Sequence, residues 1–305
     1  MKPKDLSVTV AGVRFPNPVI AASGTYGFGE DYAELYPPGV FGGISCKGLT
    51  LSERAGNPPP RIAETPGGIL NSVGLQNPGV DVFIERHLPY MKKNCNVVIA
   101  NISGETIGEY KKIAEKLDET GVDIIELNIS CPNVKKGGAA WGVSAAGAGE
   151  VTKSVRAATG KPLMVKLTPN VTDIAEIARA AEAEGADCVS LINTVLGMRI
   201  DVKTRRPVLG NNAGGLSGGA VFPIAVRMVW QVARSVKIDV VGMGGISSAE
   251  DAVEMMLAGA KAVQIGTVMM GDPFAPLKII GGIERYMEEN GIDDLSGIVG
   301  KVKPW

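Results

Sequence analysis

The chain is expected to fold as an α/β protein, a (β/α)8 TIM barrel with an N-terminal hairpin and insertions at its C-terminal face. Three observations lead there. Short apolar segments recur along the 305 residues, and each is followed by a polar or glycine-rich stretch and then an amphipathic one. The apolar segments are four or five residues long and rich in β-branched or aliphatic side chains, as strands buried on both faces require. No break in composition divides the chain, which favours one domain over residues 1–305. A doubly wound sheet is the other architecture that this alternation allows.

The elements follow in order. Residues 8–15, Val8-Thr9-Val10-Ala11-Gly12-Val13-Arg14-Phe15, read as a hairpin before the barrel that could plug its floor. Strands are expected at 19–22, 42–46, 97–100, 124–127, 163–167, 188–192, 240–243 and 262–265. Between them, 106–119, 174–184 and 248–258 carry apolar residues at helical spacing, for example Ile174, Ile177, Ala178 and Ala181. Gly121, Gly185 and Gly259 stand where a C-cap glycine is expected. Insertions interrupt the pattern at 51–73 and 194–219, each after a strand's C-terminal end, where a barrel builds its site.

Composition narrows the function. With 31 basic and 32 acidic residues there is no field to steer a polyanion, and no charge block suggests nucleic acid. The N-terminus has no apolar stretch resembling a signal peptide, and no apolar run has membrane-spanning length, so a cytoplasmic protein is expected. The four cysteines, Cys46, Cys95, Cys131 and Cys188, form no CxxC or Cys/His cluster, so a metal site built by this chain alone is not expected. Cys46 and Cys188 read as core filler. The single histidine, His87, lies on a helical-looking segment at 80–93 and reads as a half-exposed helix residue, which disfavours a histidine-dependent triad.

Cys131 differs from the other thiols. It follows Leu127-Asn128-Ile129-Ser130 where a strand breaks into a loop, precedes Pro132, and is trailed by Lys135-Lys136-Gly137-Gly138. A thiol in that setting is a candidate acid/base group or nucleophile.

In a barrel, the residue closing each strand faces the active site. Here those residues are Ser23, Lys47, Asn101, Asn128, Lys166, Asn193, Gly244-Gly245 and Gly266-Thr267, a polar ring around apolar segments. The loops after strands seven and eight commonly bind phosphate through backbone N–H groups. The glycines there, with Gly214-Gly215-Leu216-Ser217-Gly218-Gly219 closing over, imply a phosphorylated ligand or cofactor. Lys166 ends an interior strand and must meet a negative partner or lose its charge. A flavin that becomes anionic on reduction would suit it, and so would a Schiff base.

Six runs in order along residues 10–270 resemble the dihydroorotate dehydrogenases. They are Ser23-Gly24-Thr25-Tyr26-Gly27-Phe28-Gly29, Asn71-Ser72-Val73-Gly74-Leu75-Gln76-Asn77-Pro78-Gly79, Asn128-Ile129-Ser130-Cys131-Pro132-Asn133, Ile192-Asn193-Thr194, Gly214-Gly215-Leu216-Ser217-Gly218 and Gly242-Met243-Gly244-Gly245-Ile246. The resemblance implies an FMN-containing barrel that oxidises dihydroorotate to orotate in pyrimidine biosynthesis. It puts Ser23, Lys47, Gly48, Asn101, Asn128, Lys166 and Ile192 around the flavin ring and ribityl chain. Gly218, Gly244, Gly245, Gly266 and Thr267 would hold the rest of the cofactor. Lys47, Asn71, Ser72, Val73, Gly74, Leu75, Asn128, Asn193 and Thr194 would hold the substrate. Cys131 matches the base that takes the C5 proton while the C6 hydride goes to flavin N5.

Within the family, the chain is most like the catalytic subunit of the NAD-linked class 1B type. The membrane-bound, quinone-using enzymes carry an N-terminal extension and a serine base, and neither is seen here. Class 1B implies a partner subunit with FAD and a [2Fe–2S] cluster, assembled as a heterotetramer around a homodimer core. The alternatives are a fumarate-using class 1A enzyme, a dihydropyrimidine dehydrogenase-like flavin barrel, a Schiff-base aldolase using Lys166, and a barrel kept only as a scaffold for another chain.

Overall fold

A computed structural model describes residues 4–130 and 139–305. Val8–Val10 (β1) and Val13–Phe15 (β2) form the expected antiparallel hairpin. The strands that follow are Val19–Ala21 (β3), Gly43–Ser45 (β4), Ile62–Thr65 (β5), Gly68–Asn71 (β6), Val98–Ile102 (β7), Ile124–Asn128 (β8), Leu163–Lys166 (β9) and Cys188–Leu191 (β10). After them come Val195–Gly197 (β11), Ile200–Asp201 (β12), Arg206–Pro207 (β13), Gly214–Ser217 (β14), Asp239–Met243 (β15) and Ala262–Ile265 (β16). Eight of these close a parallel barrel in the order β3-β4-β7-β8-β9-β10-β15-β16. They are the eight segments expected from sequence. No helix among the described residues is long and apolar enough to cross a membrane.

Side chains alternate across each barrel strand, so two separate cores form from the same strands. Outward-facing Ile44, Val98, Ala100, Ile125, Leu127, Val165 and Val189 pack under the helices. Those helices include Ile107–Asp118, Ile174–Ala183 and Ala249–Leu257. Inward-facing Ile20, Val97, Ile99, Ile124, Met164, Cys188, Val241 and Ala262 fill the barrel's lower half, with Val10 and Phe15 of the hairpin completing the cluster. The hairpin is thus the floor plug. Phe15 reaches so far in that a Cβ on Gly43 would lie 2.7 Å from its ring.

Local chemistry sets the helix ends. Thr106, Asp173 and Ser248 cap their helices by accepting from backbone N–H groups, as N-cap side chains do. Gly185 (φ +95°) and Gly259 (φ +126°) adopt the left-handed conformation expected after a helix. Gly121 does not. There Thr120 Oγ1 donates to the Leu117 carbonyl (2.7 Å), leaving no need for a left-handed cap.

The two insertions do not fold separately. Strands β5 and β6 come from the first and β11 and β14 from the second, and they join in one antiparallel sheet in the order β11-β14-β6-β5. Leu216 pairs with Leu70, and Gly215 with Asn71. Gly214–Ser217, expected as part of a glycine-rich loop, is therefore a strand. Its glycines admit close neighbours, since a Cβ on Gly215 would collide with Thr194. His87 lies in the π-helical turn Phe83–His87 and stacks on Phe28 with ring centroids 4.0 Å apart.

Candidate active site

Above the apolar floor the barrel interior turns polar. Ser45, Asn101, Glu126, Ser190 and Gln264, from five different strands, form a buried layer. Glu126 is at its centre and is fully inaccessible. Its Oε2 accepts from Ser45 Oγ (2.6 Å) and Asn101 Nδ2 (2.6 Å). Its Oε1 accepts from Ser190 Oγ (2.7 Å) and Gln264 Nε2 (2.9 Å). Burial alone would raise its pKa, but the Lys166 charge and the hydrogen bonds from Ser45, Asn101 and Ser190 outweigh it. The carboxyl is held below the ordinary range and is anionic.

One residue-pair further along the strands, the layer opens into a cavity of about 440 Å³ at the C-terminal face. That volume suits a cofactor-sized ligand. Asn128 and Lys166, 6% and 5% exposed, look into it from adjacent strands. Ser23, Lys47, Gly48, Ile192, Asn193 and Thr194 also line it, as do Asn71, Val73, Gly74 and Leu75. On the far side stand Gly218, Gly244, Gly245, Gly266 and Thr267.

Two expected residues do not border the cavity. Asn101 lies one layer too deep: β7 runs on to Ile102, so its amide meets Glu126 rather than open space. Ser72 alternates with Asn71 and Val73 and is fully buried, its Oγ without a partner among the described residues. Cys131 lies outside the described residues.

The walls are held by side chains that sequence reasoning did not single out. Asn77 accepts from Thr50 N (3.1 Å) and Gly79 N (2.9 Å) and donates to the Leu75 carbonyl (2.7 Å), anchoring the segment that carries Asn71 to Leu75. Asn57 Nδ2 donates to the Ser72 carbonyl (2.9 Å) from the other side. Ser217 Oγ accepts from Thr267 Oγ1 (2.8 Å), tying β14 to the loop after β16.

Gly244 (φ +119°) and Gly245 (φ +80°) turn the chain sharply after β15. A Cβ on Gly245 would lie 2.7 Å from Phe222 Cβ and 2.8 Å from the Gly218 carbonyl, so only glycine lets these backbones meet. The helix that follows is capped from within: Asp251 Oδ2 accepts from Ser247 N (2.7 Å) and Ser248 N (3.1 Å). The amides of Ser247 and Ser248 are thus taken up by the helix's own cap, while Gly244, Gly245, Gly266 and Thr267 line the cavity.

Among the described residues no group of three His, Cys, Asp or Glu side chains could hold a metal ion. Burial pushes the thiols of Cys46 and Cys95 up to about 12. Burial likewise pushes Cys188 well above its usual value, so all three stay protonated at neutral pH.

A family model described as "Dihydroorotate dehydrogenase" matches residues 5–287. A protein of Bacteroides thetaiotaomicron named "Dihydroorotate dehydrogenase B (NAD(+)), catalytic subunit" is 55% identical over 300 residues, covering 98% of this chain and 99% of its own. One of the same name from Thermoanaerobacter pseudethanolicus is 54% identical over 299 residues, covering 98% and 99%. A crystal structure of DHODH in complex with ferulenol from Eimeria tenella is similar in fold, with a TM-score of 0.79 at 23% identity over 97% of this chain and 88% of that one.

Proposed function

The chain belongs to the dihydroorotate dehydrogenase family, and we propose that it is the catalytic subunit of the NAD-linked type, an oxidoreductase that converts dihydroorotate to orotate. The carrying observation is the cavity in which Asn128, Lys166, Lys47 and the Gly244-Gly245 turn converge, within a chain 55% identical to a named catalytic subunit. Its residues 1–305 act as one FMN-binding domain in pyrimidine biosynthesis, in the cytoplasm.

The cavity fits FMN on three counts. Its volume suits the group, a buried ammonium faces it, and glycine backbones approach where an anion needs N–H donors. Gly244, Gly245, Gly266 and Thr267, with Gly218 beside them, would hold the phosphate end. Lys166, Asn128, Ser23, Gly48 and Ile192 would hold the ring and chain. When bound, FMN supplies the two-electron acceptor for the substrate's hydride.

The protein's own groups do the rest. Lys47 pairs with the substrate carboxylate as a point charge. The amides of Asn71, Asn128 and Asn193 match the alternating donors and acceptors of a dihydropyrimidine ring. Cys131, which follows Ser130 directly in sequence, takes the C5 proton on its sulfur as a general base. Lys166 steadies negative charge that builds at the cavity floor.

The relatives' name, catalytic subunit, implies a separate partner subunit for electron transfer. That partner is an iron–sulfur flavoprotein carrying FAD and a [2Fe–2S] cluster, joined to a homodimer of this chain in a heterotetramer. The test is to purify the protein from its native cells and assay dihydroorotate oxidation. The expected result is a yellow protein with one FMN per chain, a co-purifying iron–sulfur subunit, and turnover with NAD. A colourless protein, or one that oxidises dihydrouracil in preference, overturns the assignment; turnover with fumarate alone and no partner overturns the NAD-linked part.

A further inference from the structure

The segment that carries Asn71 to Leu75 ends in a conformation that its last residue does not favour. Gly74 (φ +77°) and Leu75 (φ +56°) are both left-handed. Glycine enters that region without strain, but a leucine rarely does. The turn leaves the N–H groups of Gly74, Leu75 and Gln76 without partners among the described residues. Leu75 borders the cavity and packs on Gly48, next to Lys47: a Cβ on Gly48 would lie 3.3 Å from Leu75 Cδ2.

Asn77 holds Leu75 there with both ends of its amide. Its Oδ1 accepts from the backbone N–H groups of Thr50 (3.1 Å) and Gly79 (2.9 Å). Nδ2 is thereby turned the other way, donating to the Leu75 carbonyl (2.7 Å) and to Thr50 Oγ1 (2.8 Å). Thr50 Oγ1 gives its own proton to the Ser52 carbonyl (2.6 Å), so toward Asn77 it accepts. Three of the four partners are backbone groups, and they allow the amide one orientation. A peptide unit is planar, so a bond on the Leu75 carbonyl fixes the whole unit and with it the ψ of Leu75.

We propose that Asn77 is a positioning residue for substrate binding: by donating to the Leu75 carbonyl it holds Leu75 left-handed, and so keeps the unbonded N–H groups of the turn arranged for the anion that Lys47 attracts. Successive free N–H groups on a turn are a fitting receptor for a carboxylate. Asn77 itself is 5% exposed and is not among the residues that border the cavity, so it acts through Leu75. The proposal rests on the reading of the cavity as a dihydroorotate site.

The test is Asn77→Asp in the FMN-loaded protein, with orotate affinity read from the change in flavin absorbance. The ionised carboxylate keeps the bonds from Thr50 and Gly79 at equal size, but it meets the Leu75 carbonyl as a second acceptor. At about pH 8 orotate binding is expected to weaken about tenfold or more, the scale of a mismatched buried hydrogen bond, with flavin still bound. A carboxyl pressed against a carbonyl takes up a proton more readily than a free one. Once neutral it donates to Leu75 as the amide did, so by about pH 5 the deficit should narrow to within about threefold of wild type. Taking the ratio to wild type at each pH cancels the titration of groups common to both proteins, among them Glu30, Asp31, Lys47, Glu53 and Arg54 of the adjoining recess.

A merely structural need for Asn77 predicts the reverse, a lower melting temperature and flavin content with unaltered orotate affinity in the protein that stays folded. Orotate affinity unchanged at about pH 8, a deficit that does not narrow as the pH falls, or a variant that cannot fold around its flavin each overturns the proposal alone. Wild-type protein that holds flavin but binds no orotate overturns the substrate reading and this proposal with it.

Discussion

Asn128 and Lys166 are register partners on adjacent parallel strands, so an amide and an ammonium open side by side on the same cavity. Lys166 is 5% exposed, and among the described residues no carboxylate stands within ion-pair distance of it. Its nearest counter-charge acts through space, from Glu126 in the layer beneath. An ammonium so placed is available to a ligand rather than consumed by the fold.

Lys166→Ala is therefore expected to lower FMN content, or to slow flavin reduction by dihydroorotate about 100-fold, the usual loss when one preorganised electrostatic donor is removed. Flavin-to-protein ratio and stopped-flow absorbance measure the two. Wild-type values in both would count against a cofactor role for Lys166.

For Cys131, replacement by alanine should leave the protein yellow while dihydroorotate oxidation falls about 100-fold or more, as loss of a general base does. A second measurement is independent of turnover. With Cys46 and Cys95 pushed up to about 12 and Cys188 well above its usual value, iodoacetamide near neutral pH should add once. Peptide mass spectrometry should find the label on Cys131, with orotate protecting it. Labelling spread over the other thiols would contradict the burial argument.

The eight barrel strands were legible because each is a short apolar run ended by a polar residue, a pattern carried entirely by local sequence. So were Lys166 and the Gly244-Gly245 turn, whose meaning depends only on position after a strand. What escaped needs the barrel to be closed first. Ser45, Glu126, Ser190 and Gln264 each look like a single polar residue in an apolar strand, and only the shear of eight strands makes them one layer. Glu126 carried one signal: an acid two residues before Asn128 must face the same way. Asn101 was placed a layer too high because its strand extends to Ile102. The pairing of the two insertions, Leu70 with Leu216, joins residues remote in sequence and leaves no local trace.

Gly245→Ala tests the turn after β15. The added methyl would lie 2.7 Å from Phe222 Cβ at a φ of +80°, so strain and collision act together. A stability loss of about 1–3 kcal/mol is expected, together with weaker FMN retention, since the loop amides must shift. Calorimetry and flavin fluorescence in the supernatant after gel filtration measure these, and a variant with unaltered melting and flavin content would show that the turn tolerates a side chain.

Phe15 makes the opposite case, a residue needed for stability and remote from chemistry. It is fully buried beneath the barrel, against the layer that holds Val97 and Ile124. Phe15→Ala should cost about 3–5 kcal/mol and lower the melting temperature, while kcat of the protein still folded at low temperature stays near wild type. A large fall in kcat without a fall in melting temperature would mean that the hairpin does more than plug the floor.

The polar layer has its own signature in acid. Glu126 titrates below its ordinary value of 4.5 because Lys166 and its hydrogen-bond donors outweigh the burial that would raise it. A carboxyl with a depressed folded pKa contributes stability that is fully present above the unfolded value and is lost as pH falls through the folded one. Wild type should therefore be more stable than Glu126→Gln above pH about 5, by a margin that shrinks steadily as the pH is taken below the unfolded carboxyl value. Urea unfolding at a series of pH values reads that margin directly. A margin independent of pH would mean that Glu126 stabilises the barrel by shape alone, and that its charge is not part of the layer's design.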